Sequence, residues 1–195
     1  MRIWILLLAP LFLSYSYIEN KNREIKVDAG IYEVLYSESL EQPREVWYSV
    51  ECPNGKASRK GMDFYSNDSV YTSTNEDYEN NIWDKGHMAP AADFSCDRET
   101  LYKTFSYLNC SLQHQDLNRG VWRLLEAAER EIAKKTDVEV HITILFSNAS
   151  KKLTTGATVP DAYKKEIKYS NKIDIYYFKN EKPLYTDPQK YRVKD

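Results

Sequence analysis

The sequence predicts an α+β domain, on two observations. Several stretches alternate apolar and polar residues with the two-residue period of a half-buried strand, and one strongly amphipathic helix lies between them. With 195 residues and 42% hydrophobic content the chain can bury one sizeable core. No repeat or low-complexity tract divides residues 23 to 185, so a single domain is expected there, with a looser end behind it.

At the N-terminus a single charge, Arg2, precedes the apolar run Ile3 to Leu13, and Ser14 and Ser16 follow. That is the layout of a signal peptide, assigned to residues 1–17. The run is shorter than the roughly 20 residues that span a bilayer, although Tyr15 to Ile18 could lengthen it into a weak anchor. The expectation is a secreted or periplasmic protein with no stable membrane association after cleavage.

Arg44 to Val50 places Val46, Tyr48 and Val50 opposite Trp47 and Ser49, a strand pattern. Next comes Asn118 to Lys135, with Val121, Leu125, Ala128 and Ile132 on one stripe at helical spacing, and Arg119, Arg123, Glu126 and Arg130 away from it. Asp116 and Asn118 are good capping types for its start, and Lys134 and Lys135 suit the negative end of the helix dipole. Two further strands follow, at Glu139 to Phe146 with Val140, Ile142, Ile144 and Phe146 on one face, and at Lys172 to Phe178 with Ile173, Ile175 and Tyr177 on one face.

Without the leader the chain holds 26 basic against 29 acidic side chains, a formal charge of −3. This is not the strongly basic balance usual for nucleic-acid binders. The closest approach to a basic patch is Tyr163 to Asp195, with nine Lys or Arg against five Asp or Glu, a pattern that more commonly marks a solvated surface. Cys52, Cys96 and Cys110 allow one disulfide of undetermined pairing, and they lack the C-x-x-C spacing of a structural zinc site. Asn67, Asn109 and Asn148 open Asn-x-Ser sequons, which matter only in a eukaryotic secretory pathway.

Two segments concentrate catalytic residue types: Trp83 to Pro90, and Asn118 to Glu126. In the first, a turn-rich stretch, Gly86 would let the backbone swing His87 into a cleft, where a neutral imidazole can take a proton from water. In the second, Glu126 lies roughly 80° round an ideal helix from Asn118, so both can address one site. Arg130, four residues on, can pair with Glu126. An amide carbonyl and a carboxylate are donors suited to a hard cation such as Mg²⁺, which keeps several waters and takes few protein ligands.

The two segments together resemble the paired signature of the DNA/RNA non-specific endonucleases, a family of ββα-metal (His-Me finger) nucleases that includes endonuclease G. The first motif is carried by Asp84-Lys85-Gly86-His87 with Met88-Ala89-Pro90 and Ala91 to Asp93 behind it. The second is carried by Asn118, Gly120, Trp122, Leu125 and Glu126. Phe105, Asn109, Gln113 and the stretch Gly156 to Lys164 extend the likeness over roughly residues 45 to 180.

The resemblance implies a ββα-metal fold with a central antiparallel sheet and flanking helices, and Mg²⁺-dependent cleavage of DNA and RNA with little sequence preference, leaving 5′-phosphate and 3′-hydroxyl ends. It implies His87 as general base, Asn118 as direct Mg²⁺ ligand (with Mn²⁺ a possible substitute), and Glu126 acting on the ion through water. Lys85 and Arg130 would support the phosphate, with Asp84 and Gly86 in supporting places. Where the family has Arg, this chain has Lys85, which loses a planar fork able to hold phosphate at two points. Leu112 and Leu108 replace the usual Pro and Ser or Thr, and the phosphate-contacting Arg upstream corresponds to Arg59 or Lys60. The alternative reading is a catalytically weak relative that binds nucleic acid or protein.

Overall fold

The computed structural model describes residues 24–193, so the leader expected at 1–17 lies outside the described residues. A six-stranded antiparallel sheet runs in the order β1 (Glu24–Asp28), β2 (Tyr32–Ser37), β3 (Gln42–Ser49), β6 (Val138–Leu145), β7 (Ala162–Tyr169), β8 (Lys172–Lys179). The three strands read from alternation are β3, β6 and β8, but β8 turns the expected face, Ile173, Ile175 and Tyr177, outward and buries Asp174, Tyr176 and Phe178. The others were hidden for identifiable reasons. The inward positions of β7 are Tyr163, Lys165 and Ile167, so a buried charge interrupts its apolar face. β1 lies at the sheet edge, and none of its residues is fully buried.

Along β6 the residues alternate between buried and more exposed, and its inward side chains, Val138, Val140, Ile142 and Ile144, meet Val34, Val46 and Tyr48 in one core. One face of the sheet is covered by the segments around Met88 and Trp122 and the other is left half-exposed. A separate hairpin pairs β4 (Trp83–His87) with β5 (Cys110–His114). Side chains of the large sheet satisfy part of β5's backbone. Gln42 Oε1 accepts from the Leu112 N–H at 2.9 Å, and Asn180 Oδ1 accepts from the His114 N–H at 2.7 Å. Buried backbone groups need such partners, and here they fix the hairpin against the sheet.

The helix differs from the one continuous element expected over Asn118 to Lys135. A turn, α2 (Gln115–Leu117), leads into a wider π turn over Asn118–Trp122, and α3 (Arg123–Ala133) follows. Gly120, at φ −99° and ψ −116°, takes the non-helical conformation that the kink needs. The start is capped by neither Asp116 nor Asn118: the His114 side chain accepts from the Asp116 N–H. The extra residue in the π turn rotates the later stripe, so Ala128 is exposed and Glu129 takes the buried place. Trp122 is fully buried, 5.4 Å from the Tyr163 ring and 5.6 Å from that of Phe178, and locks α3 to the sheet.

Cys52 and Cys96 form the disulfide, and Cys110 is a buried free thiol. The bridge ties the segment leading to Arg59 to the turn containing Asp93, where the backbone bonds Cys52 N to Asp93 O and Ala57 N to Ser95 O run alongside it. Short helical pieces, Ala91–Phe94 and α1 (Arg98–Lys103), fill the long connection between β4 and β5. Past residue 185 the chain still packs: Tyr191 stacks on Phe178 at 4.8 Å, and Arg192 pairs with Asp174.

Candidate active site

His87 is the last residue of β4, paired with Cys110, and so sits on a strand end instead of in the turn expected. The turn follows it and is clamped by the buried side chain of Asn109. That amide accepts from the Ala89 N–H at 2.7 Å and donates to the Ala89 and Thr104 carbonyls at 2.8 and 2.9 Å. Full burial also removes Asn109 from consideration as a glycan acceptor in the folded protein. The role expected of Gly86 changes too. A Cβ there would lie 2.6 Å from the Gln113 Cβ, so glycine is required for close approach across the hairpin, not for a swing of the backbone.

The His87 ring is boxed by Phe64 at 4.7 Å and by Phe105 at 4.8 Å, the latter edge-on, and its Nε2 is buried with no hydrogen-bond partner. Burial, and secondarily the charge of Arg59, push its pKa down from 6.5 to about 3. The imidazole is therefore neutral at neutral pH, the form a proton acceptor needs. Lys85 shares the strand face of His87, two residues before it. Its Nζ lies 3.3 Å from Asp63 Oδ1 and 5.5 Å from the ring centres of both Phe64 and Tyr107.

Asp84 organises the far side. Its Oδ2 accepts from Asn118 Nδ2 at 2.8 Å and from Arg119 Nε at 2.8 Å, while Oδ1 meets Arg119 at 2.5 Å. With the amide nitrogen committed, the Asn118 carbonyl oxygen is the atom left for a ligand. Glu126, three residues beyond Arg123 on α3, lines the same cleft, and burial pushes its carboxyl up to about 8. The expected Glu126–Arg130 pair does not form. Arg130 instead donates to Asp93 Oδ1 at 2.8 Å and gives that fully buried carboxylate its charge partner.

Behind these groups a second buried pair sits under the helix: Lys165 Nζ lies 2.8 Å from Glu129 Oε1, and Tyr48 donates to Glu129 Oε2 at 3.0 Å. Within the C-terminal basic excess, Lys164, Lys165, Lys168 and Arg192 are in ion pairs.

His87, Asn118, Glu126, Lys85 and Arg130 come together in one open cleft of 930 Å³, joined by Arg59, Arg119 and Arg123. Sequence reasoning left Arg59 undecided and assigned no role to Arg119 or Arg123, although both fall inside the second motif. A hollow of 550 Å³ on the outer face of the sheet offers the opposite chemistry. Asp28, Glu33, Glu51, Glu139 and Glu166 line it and would repel phosphate.

The sequence profile of the DNA/RNA non-specific endonucleases matches residues 12–194. The chain belongs to this family. Within the family it is 38% identical over 84 residues to the mitochondrial nuclease EXOG of Danio rerio, covering 42% of this chain and 24% of that one. It is 32% identical over 83 residues to the mitochondrial endonuclease G of Homo sapiens, covering 41% of this chain and 28% of that one. With the nuclease of Serratia marcescens it shares 30% identity over 102 residues, 49% of this chain and 38% of the relative. The chain therefore matches well under half the length of these endonuclease relatives.

The fold agrees. A chain of the EndoG/EndoGI complex superposes with a TM-score of 0.77 at 22% identity, covering 89% of this chain and 82% of that one. The α+β ββα-metal fold expected for the family is the one present, with β4, β5 and the helix of α3 forming the ββα unit around the cleft.

Proposed function

We propose that this protein is a metal-dependent endonuclease that hydrolyses phosphodiester bonds of DNA and RNA without strong sequence preference. The observation that carries the proposal is the single cleft that joins a neutral, unpartnered imidazole to an amide oxygen, a carboxylate and five cationic side chains. Contacts of that kind address phosphate, not base edges, which favours indifference to sequence and a strong dependence on salt.

The donor set fits a magnesium ion. Among the described residues no group of three or more His, Cys, Asp or Glu side chains could hold a metal, so a protein-rich cage is not available there. An Asn118 oxygen freed by Asp84 and the nearby Glu126 carboxylate match the sparse, oxygen-only ligation that Mg²⁺ tolerates, and Mn²⁺ could substitute. When bound, such an ion offsets charge on the phosphate and on the departing 3′ oxygen.

His87 takes the proton from the attacking water, opposite the leaving group, which yields 5′-phosphate and 3′-hydroxyl ends. Asp84 keeps Asn118 in register. Arg130, braced by Asp93, and Lys85 face the phosphate and counter its negative charge. The leader at residues 1–17 supports export to the periplasm or the medium as a soluble enzyme.

The test is incubation of the chain with plasmid DNA and with RNA, in Mg²⁺ or in EDTA, beside His87→Ala and Asn118→Ala. Cleavage by the unmutated chain in Mg²⁺, lost in EDTA and in both variants, is the expected result. Intact substrate with the unmutated chain and Mg²⁺ would sink the proposal and favour a binding role, a reading to which the hold of Asp63 on Lys85 lends weight.

A further inference from the structure

We infer that Arg123 is a second phosphate grip, which holds the polynucleotide backbone on the helix side of the cleft, next to the phosphate being cut. The inference rests on the nuclease reading above and names a contact of the same site.

The argument begins with the charge partners of the five cations in the cleft. Lys85 is held by Asp63, Arg119 by Asp84 and Arg130 by Asp93. Among the described residues, Arg59 and Arg123 form no ion pair. Arg59 belongs to the wall of His87, whose pKa registers its charge. Arg123 lines the same cleft from the start of α3, which also carries Glu126, directly after the π turn that holds Asn118. The two uncommitted guanidinium groups thus enter the cleft from different segments, Arg59 near His87 and Arg123 from α3.

Arg123 is also held in a defined pose. Its backbone N–H goes to the Gly120 carbonyl within the π turn, and its Nε donates to the Arg119 carbonyl at 3.1 Å. Arg119 is in turn fixed by two bonds to Asp84, the same carboxylate that holds Asn118. One bond at Nε thus fixes the long, exposed side chain and leaves both terminal nitrogens for a ligand, which lowers the entropy lost on binding. A planar fork with two free nitrogens matches the two non-bridging oxygens of a phosphodiester. Because Asp84 links Arg119 to Asn118, the grip and the proposed metal ligand keep a fixed spacing, and the strand is set in register with the cut.

The test is equilibrium binding of a short, fluorescently labelled single-stranded DNA to the His87→Ala protein without divalent metal. It compares that parent with a second form that also carries Arg123→Gln, between about 50 and 200 mM salt. The expected result is a loss of affinity of about tenfold, as for removal of one charged hydrogen bond. The slope of log affinity against log salt should fall by about 0.7, the value for one phosphate contact on a single strand. Arg123→Lys should recover the slope and part of the affinity, while Lys182→Gln, exposed on a distant loop, should change neither. Unchanged affinity and slope with Arg123→Gln overturn the inference and leave the nuclease reading standing. Absence of binding by the parent overturns the grip, and a lack of cleavage by the unmutated chain then removes the nuclease reading with it.

Discussion

Asn118 and Asp84 are joined by a hydrogen bond of 2.8 Å from the amide nitrogen to the carboxylate, across 34 positions of sequence. The bond decides which end of the amide faces the cleft. Asp84→Asn removes an ionised acceptor that also holds Arg119, so the Asn118 amide can rotate. The expected outcome is a rise of about 10- to 100-fold in the Mg²⁺ concentration needed for half-maximal activity, the usual range for such a supporting partner. Titration of activity with Mg²⁺ checks it, and an unchanged midpoint would show that Asp84 does not set the amide.

His87 carries the proton transfer in this scheme. His87→Ala should lower kcat by about 10²- to 10⁴-fold, the range for loss of a general base, with little change in affinity for DNA. Rates on a labelled oligonucleotide, alongside circular dichroism to confirm folding, measure this directly. Full activity in the variant would move the base elsewhere.

Opposite pKa shifts at two groups place their effects on activity in separate pH ranges. Because His87 must be neutral and its pKa is lowered to about 3, activity at saturating metal should persist well below pH 6.5 instead of halving there. Glu126, raised to about 8, must release its proton to meet a cation, so at limiting Mg²⁺ activity should climb with pH through about 8. The same His87 shift bears on stability. The unfolded chain takes up a proton that the native one refuses, so stability should decline as pH falls from 6.5 toward 3. Activity profiles at two metal concentrations and thermal melts across this range test the three statements.

Lys165 and Glu129 are both fully buried, and neither can lose its partner without leaving a charge in the core. Lys165→Met should cost about 3–5 kcal/mol, while Lys165→Met with Glu129→Met together should recover much of the loss. Denaturant unfolding of the single and double variants decides it. Equal stability of all three would mean that the pair is dispensable in either form.

The Cys52–Cys96 bridge closes a separation of 44 residues, and its removal by Cys52→Ala with Cys96→Ala should cost on the order of 2–4 kcal/mol. Because the bridged segments carry Arg59 and Asp93, reduction should also weaken activity below the melting range. Paired melts and rates with and without a thiol reductant separate the two effects.

Much of this site is legible in the chain itself. The spacing within Asp84 to His87 and within Asn118 to Glu126 depends on local geometry, a strand end and a π turn running into a helix, and local geometry is what short motifs record. The alternation in β3 and β6 is visible for the same reason: an apolar face buried against one core leaves a two-residue trace, whereas in β8 the alternating Ile173, Ile175 and Tyr177 lie on the outer face and Asp174, Tyr176 and Phe178 are buried. β7 leaves none, because Lys165 points into the core and has a partner only once Glu129 is brought beneath it.

What the tertiary structure alone decided are the partnerships. A four-residue spacing allowed Arg130 to meet Glu126, and Asp93, 37 positions away, took it instead. The π turn at Gly120 moved Glu129 inward and Ala128 out, which no ideal helical wheel contains. Cys96 rather than Cys110 joined Cys52 because the bridge needs two backbones to approach within reach, here 5.5 Å between Cα atoms. Sequence determined which residues are candidates for the chemistry, since composition and spacing are local. Which charges cancel, and which of them stay free for a phosphate, depends on distances across the folded chain.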